Sequence, residues 1–448
     1  MKTTKLLLKA IPVILSATIF FNPVTVSACT YELSKSDATE IKSLTSTDYK
    51  DLEFLKPILK DKTVVSLGEN FHRVGEYSSM KTRIIKYLHQ YLGFDVIAFE
   101  SGIGECSAVY EDVNSLTPKQ MMENSIFPIW HSKETLSLFN YIKAQSKTQS
   151  PLYLAGYDMQ PTSGYFSIFM FKLLYKLDKN YAKEYLNFES SYLKDAYSII
   201  NKYGLDDSYK HSDELLKVKN KYQPKYEKLL TFVNHNKFKI SGFYPKNPHI
   251  IDIIKKTIGG RLQLVEMMML DNINSYEFRD KLMAENVEWI TKVLYPGKKV
   301  ILWAHNDHLA KNTSKILTKE HGKWINSFTS MGELLNSKFK DKGYVLGFYM
   351  NSGKATTITT LKPFDIPPMP KGSLENVIIK SGYNCTFVDL SKHKSENSSN
   401  SWMFNPIFAA EDGMTSEIIS PMSMMFVPKD QYDGVIVINK VSEPTLDY

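Results

Sequence analysis

"TVVSLGENFHRVGEYSSMKTRIIKYLHQYLGFDVIAFE", residues 63–100, sets a short apolar run on either side of a helical pattern. Both runs are rich in β-branched and aromatic residues, almost wholly apolar inside and bounded by turn residues. That pattern predicts buried strands covered on both faces, as in a parallel sheet. Between them Met80, Ile84, Leu88 and Leu92 fall four apart on one helical face, and Gly93 stands where the helix has to stop. Strand, helix and strand at this spacing make a βαβ unit and predict an α/β fold with a mostly parallel central sheet flanked by helices.

Two further runs share the design, "PLYLAGYD" at 151–158 and "KKVILWAH" at 298–305. All four end on an ionisable residue: Glu69, Glu100, Asp158 and His305. In open α/β sheets ligands bind beyond the carboxyl ends of the strands, so the four side chains are expected along one edge. "GYVLGFYM" and "YDGVIVINKV" read as later strands, and "LSKHKSENSSNSW" as a polar surface loop. Long segments rich in Leu, Tyr and Lys occupy 162–278 and read as a large helical insertion, a lid or substrate wall. The expected division is a leader at 1–28, a first part of the α/β core at 29–161, the insertion at 162–278, and a second part of the core at 279–448.

The chain opens with three lysines and no acid, an apolar stretch, Pro23 and small residues before Cys29, the layout of a secretory signal cleaved after Ala28. The same residues also resemble a lipoprotein box. The polar approach through Asn22, Pro23 and Thr25 favours plain secretion, with membrane attachment expected only if Cys29 is lipidated. Loss of Lys2, Lys5 and Lys9 takes the formal charge from +7 to +4. So mild a balance excludes a nucleic-acid partner on charge grounds. Three cysteines, Cys29, Cys106 and Cys385, are too few for a disulfide framework.

The densest chemistry is "LGENFHRVGEY", with Glu69, His72 and Glu76 in the loop leaving the first strand. A carboxylate three residues from an imidazole can orient it and raise its basicity, as a general base acting on water requires. The plain reading is a histidine and acids at the start of the next helix, with Glu76 near its positive end. His305, Asn306 and His308 in "HNDH" pose a similar choice. With Glu69, Glu100 or Asp158 the two histidines would suit a hydrolytic zinc or manganese site. Without metal they could donate to a substrate carbonyl or its oxyanion. Arg279 and Asp280 read as an ion pair and cap at a helix start, with a site role for Arg279 the lesser reading. Trp130 and Trp303 could line a pocket but read first as core aromatics, and Met267, Met268 and Met269 read as packing residues.

There is no GxSxG nucleophile elbow, no GxxxxGK[ST], no HExxH and no paired CxxC. "SGIGECS" lacks the third glycine of a dinucleotide fingerprint, and Cys106 has no local partner for nucleophilic work.

Taken in order, "LGENFHRVGEY", "FDVIAFESG", "LAGYDMQ", "FRDKLMAENVEWI" and "VILWAHNDHLAK" resemble the erythromycin esterase family, some of whose members are labelled succinoglycan biosynthesis protein. The resemblance covers most of the mature chain. It implies an α/β core with a helical insertion, a small-molecule ester or lactone substrate, and hydrolysis by base-activated water with no covalent serine and no cofactor. Carried over by position, it makes His72 the base, Glu69 and Glu100 its carboxylate partners, and His305 and His308 further site residues. Glu76, Lys81, Arg83, Asp158, Asn306 and Arg279 are the expected substrate contacts. Lys81 stands where the family often has an arginine, nine positions after the base, and offers a point charge in place of a planar fork. A metal-dependent hydrolase using the two histidines, and a non-catalytic secreted binding protein, are the other readings.

Overall fold

The computed structural model describes residues 31–447 except 205–206, 321 and 412–416. The expected leader and Cys29 lie outside the described residues. Among those described, no helix is long and apolar enough to cross a membrane.

Thirteen strands are described: β1 Ala38–Glu40, β2 Val64–Leu67, β3 Phe94–Gly102, β4 Tyr153–Asp158, β5 Lys299–Trp303, β6 Leu317–Glu320, β7 Lys323–Asn326, β8 Gly343–Thr356, β9 Pro363–Ile366, β10 Cys385–Asp389, β11 Ile407–Glu411, β12 Ser420–Phe426 and β13 Gly434–Val441. Nine form one sheet in the order β1-β10-β13-β8-β2-β5-β3-β4, with β9 on β8. The six strands from β13 to β4 run parallel, and the sheet is flanked by helices, as the apolar runs predict. Alternation along each run sends side chains to two cores. Val65, Leu67, Ile97, Phe99, Ile301 and Trp303 enter one, while Val64, Val96, Ala98, Val300 and Leu302 enter the other. Both faces are covered, which is why the runs show no polar alternation.

The helix Gly75–Leu92 follows β2, buries Met80, Ile84, Leu88 and Leu92, and ends at Gly93 with φ of 69°. The two strands of this βαβ unit are not neighbours. β5 lies between them, paired with β2 through Val64–Val300 and with β3 through Val96–Val300. Five helices, Tyr165–Tyr175, Lys179–Tyr203, Ser212–His235, Lys237–Phe243 and Ile250–Met268, follow β4. The buried Arg261 of the last holds them to the core, pairing with Glu189 at 2.9 Å and with Glu105 beyond β3 at 3.3 Å. The helix Asn272–Trp289 then returns the chain to β5, starting ahead of the expected boundary at 279. A second, antiparallel sheet, β11-β12-β6-β7, has no counterpart in the sequence reading. Cys106 and Cys385 are free, buried thiols.

Candidate active site

At the carboxyl end of β2 the chain turns sharply beneath the helix residue Asn306. A Cβ on Gly68 would lie 2.1 Å from Asn306 Oδ1, so a larger residue there would have to displace the Asn306 side chain. The turn presents Glu69, buried to 1 % exposure, with three donors around its carboxylate. His72 Nδ1 lies 2.8 Å and Trp130 Nε1 2.5 Å from Oε1, and Lys81 Nζ lies 2.5 Å from Oε2. Burial would raise the Glu69 carboxyl, but Lys81 and His72 outweigh it and hold it below its ordinary 4.5. The same burial brings the Lys81 ammonium down to about 8, opposed by the Glu69 charge. Glu69 is therefore ionised at neutral pH and accepts the Nδ1 proton of His72. That leaves Nε2 as the basic nitrogen on a ring that is partly open to solvent.

β3 carries one extra residue against β4 between Phe99 and Gly102, a bulge that re-aims Glu100 at the sheet edge. Gly156 makes room for it, since a Cβ there would meet Ser101 O at 2.4 Å and Gly102 O at 2.6 Å. Glu100 and Asp158 both hold Arg279, with Nη2 2.8 Å from Glu100 Oε1 and 2.6 Å from Asp158 Oδ2. His308 lies between two carboxylates, Nδ1 at 2.9 Å from Asp280 and Nε2 at 3.2 Å from Glu100. Desolvation disfavours its charge, yet Asp280 and Glu100 prevail and push it up to about 10, so it is an imidazolium. Burial opposes ionisation of Glu100, but His308, Arg279 and His72 together hold it well below 4.5.

His305 stands at the N-terminus of the short helix Asn306–Leu309, its ring centroid 5.0 Å from that of His72. Asp307 N donates to its Nδ1 at 3.2 Å, and its Nε2 lies 3.1 Å from Glu411 Oε1. His305, Asp307 and Glu411 are also the one group among the described residues whose ligand atoms lie close enough to hold a metal ion.

The structure thus brings His72, Glu69, Glu100, His305, His308, Asp158 and Arg279 to one edge. Four expected substrate contacts fall elsewhere. Lys81 is fully buried under Glu69, its ammonium 4.6 Å from the Trp303 ring, and does not reach solvent. Arg83 faces the opposite way, bound to Asp51 and to the carbonyls of Ser43, Ser46 and Asp48. Glu76 accepts from Ser442 N and Oγ and pins the end of β13. Asn306 lies behind the site, its N–H on Glu69 O and its side chain on Phe348 O. Nor does Arg279 begin a helix: it sits within Asn272–Trp289, its fork turned into the site. Of the two histidines of "HNDH", His305 belongs to the group whose ligand atoms lie close together, whereas His308 is held between Asp280 and Glu100.

Trp130, Asp280 and Glu411 were missed as site residues. Glu411 had the same signal as the other four, an apolar run, "IFAAE", ending in an acid. Trp130 and Asp280 had none, since only tertiary packing brings them to Glu69 and His308.

A family model described as erythromycin esterase matches residues 89–441. A Bacillus subtilis (strain 168) protein named "Putative hydrolase YbfO" is 33 % identical over 410 residues, 88 % of this chain and 87 % of its own length. "Erythromycin esterase type II" of Escherichia coli is 23 % identical over 383 residues, 76 % of this chain and 84 % of its own. A succinoglycan biosynthesis protein of known structure superposes with a TM-score of 0.66 at 18 % identity, covering 92 % of this chain and 97 % of that one. A histidine-to-asparagine mutant of erythromycin esterase EreC, in its open conformation, superposes with a TM-score of 0.58 at 15 % identity, over 92 % and 100 % of the two chains.

Proposed function

The chain belongs to the erythromycin esterase family and is a hydrolase, and from that premise we propose that it cleaves a carboxylic ester or lactone with water activated by His72. The observation that carries this is the bond from His72 Nδ1 to the buried, ionised Glu69, which leaves Nε2 basic. In this reading a water molecule gives its proton to His72 Nε2 as its oxygen bonds to the ester carbon. Glu69 stabilises the imidazolium so formed, held by Lys81 and Trp130 from behind. Arg279, whose Nη1 lies 3.3 Å from the like-charged His308, supplies positive charge for the developing oxyanion. Collapse of the tetrahedral intermediate breaks the carbon–oxygen bond, and the leaving alkoxide takes its proton back from His72.

The test is hydrolysis of an ester panel by wild type and His72→Ala. Loss of the base should lower kcat by about 10²–10⁴-fold with the fold retained. A folded His72→Ala variant with full activity would refute the proposal. Erythromycin belongs in the panel because the Escherichia coli relative is named for it. We propose secretion on the strength of the leader pattern, to be checked by cell fractionation.

The buried His305, Asp307 and Glu411 group favours a second reading, a divalent cation that activates the water. Turnover that disappears on chelation and returns with one added metal would move the assignment there.

A further inference from the structure

β11 is paired along one edge and nearly bare along the other. Toward β12 its register shifts between Ala409 and Glu411, where residues 421–423 stand opposite Ala410 alone. Along the other edge, among the described residues, it has one bridge outside the named strands, Phe408 to Ser373. Alternate residues of a strand present their N–H and C=O to the same side. Ala410 therefore offers its pair on the Ser373 side, where the ladder has stopped, and two side chains take them. Glu375 Oε1 accepts from Ala410 N at 2.7 Å, and Asn70 Nδ2 donates to Ala410 O at 2.8 Å. The Tyr77 hydroxyl donates to Asn70 Oδ1 at 2.6 Å, which dictates the end of the amide that faces Ala410. Glu375, Asn70 and Tyr77 are fully buried. The next residue is Glu411, its backbone steadied by Ser423 Oγ and its carboxylate 3.1 Å from His305 Nε2.

We propose that Glu375 is a positioning residue for hydrolysis: through the peptide of Ala410 it sets β11 so that Glu411 meets His305. The proposal rests on the hydrolytic reading above. Asn70 lies in the loop that carries Glu69 and His72, so the clamp also ties that loop to the strand that orients His305. Fully buried with its carboxylate on the backbone of Ala410, Glu375 is no contact of substrate. Burial pushes the Glu375 carboxyl up to about 7. Glutamine is thus a close stand-in for its protonated form, and its carbonyl can still accept from Ala410.

The experiment is a double-mutant cycle on kcat for the hydrolysed ester, with Glu375→Ala, Glu375→Gln, Glu411→Ala and the Glu375→Ala/Glu411→Ala pair. Misplacing a site group by about an ångström costs up to about a hundredfold, so Glu375→Ala should lower kcat by roughly ten- to a hundredfold. Glu375→Gln should stay within about threefold of wild type, and Glu375→Ala should cost nothing further once Glu411 is alanine. Additive losses, or a Glu375→Gln variant as poor as Glu375→Ala, would overturn the proposal. If Glu375→Ala does not fold, Tyr77→Phe, which releases the far end of the clamp, carries the same expectation.

Isotope-labelled histidine NMR supplies a readout independent of turnover. Glu375→Ala should shift the His305 Nε2 resonance toward its position in Glu411→Ala, whereas an unmoved resonance would refute positioning. The expected shift in a protein that hydrolyses no ester would sustain the positioning and sink the hydrolytic reading.

Discussion

Replacing Lys81 by methionine should make both stability and catalysis respond to pH through Glu69. Methionine keeps an apolar stem of similar length against Trp303 but removes the ammonium 2.5 Å from Glu69 Oε2. The carboxylate would then be buried with only the His72 and Trp130 donors. Removing one partner of a buried ion pair costs about 3–5 kcal/mol. At about 1.4 kcal/mol per pH unit, a loss of that size raises the Glu69 titration by roughly two to four units from its lowered position. In wild type Glu69 is ionised in both folded and unfolded chains from pH 5 to 8, so it gives no slope there. In the variant the folded chain holds a proton that the unfolded chain has released above about pH 4.3. Relative to wild type, stability should therefore fall as pH rises through this window, by about 1.4 kcal/mol per unit until Glu69 ionises. A protonated Glu69 no longer supports an imidazolium on His72. The kcat relative to wild type should be most depressed at the acid end of the range and recover as pH rises and Glu69 ionises. Denaturant unfolding and initial rates from pH 5 to 9 measure both effects. A variant whose stability slope and rate profile follow wild type would show that Lys81 does not hold Glu69 ionised.

Three further outcomes are expected. His308 is raised from 6.5 to about 10, so its contribution is complete below about pH 6.5 and lost as pH climbs toward 10; His308→Gln should remove that fall. Lys81 acts in the opposite sense above pH 8, so the quantity to read is the difference between wild type and variant in unfolding free energy. Gly156→Ala drives a methyl group into the backbone of the β3 bulge and should cost about 1–3 kcal/mol in thermal unfolding. It should also lower kcat by displacing Glu100. Turnover by the proposed metal-free route should survive dialysis against a chelator, and its loss would favour a cation at His305, Asp307 and Glu411.

The parallel strands were legible because burial on both faces leaves them uninterruptedly apolar. Their ionisable ends were legible for a topological reason, since parallel strands all finish at one edge. Val300 between Val64 and Val96 was not, because the crossovers that order a sheet leave no mark in the strands themselves. Substrate contacts were over-assigned along the helix Gly75–Leu92. Glu76, Lys81 and Arg83 are all polar and near the base in sequence, yet a helix spreads them over different faces, toward Ser442, Glu69 and Asp51. Polar residues of the second sheet were missed for the converse reason: Glu411 is more than three hundred residues from His72, and only the path of β11 brings it to His305.

The place of β5 in the sheet has a consequence for biogenesis. While the chain is being made, β2 and β3 are complete long before the strand that separates them exists, and His305 and His308 follow that strand. A chain halted before Lys299 would have two strands facing an empty slot, exposing unpaired backbone that invites aggregation. Pairing over so long a separation is slow, since loop closure has to precede any contact that rewards it. Hydrolytic competence would then arrive near the end of folding, leaving the unfinished chain inert.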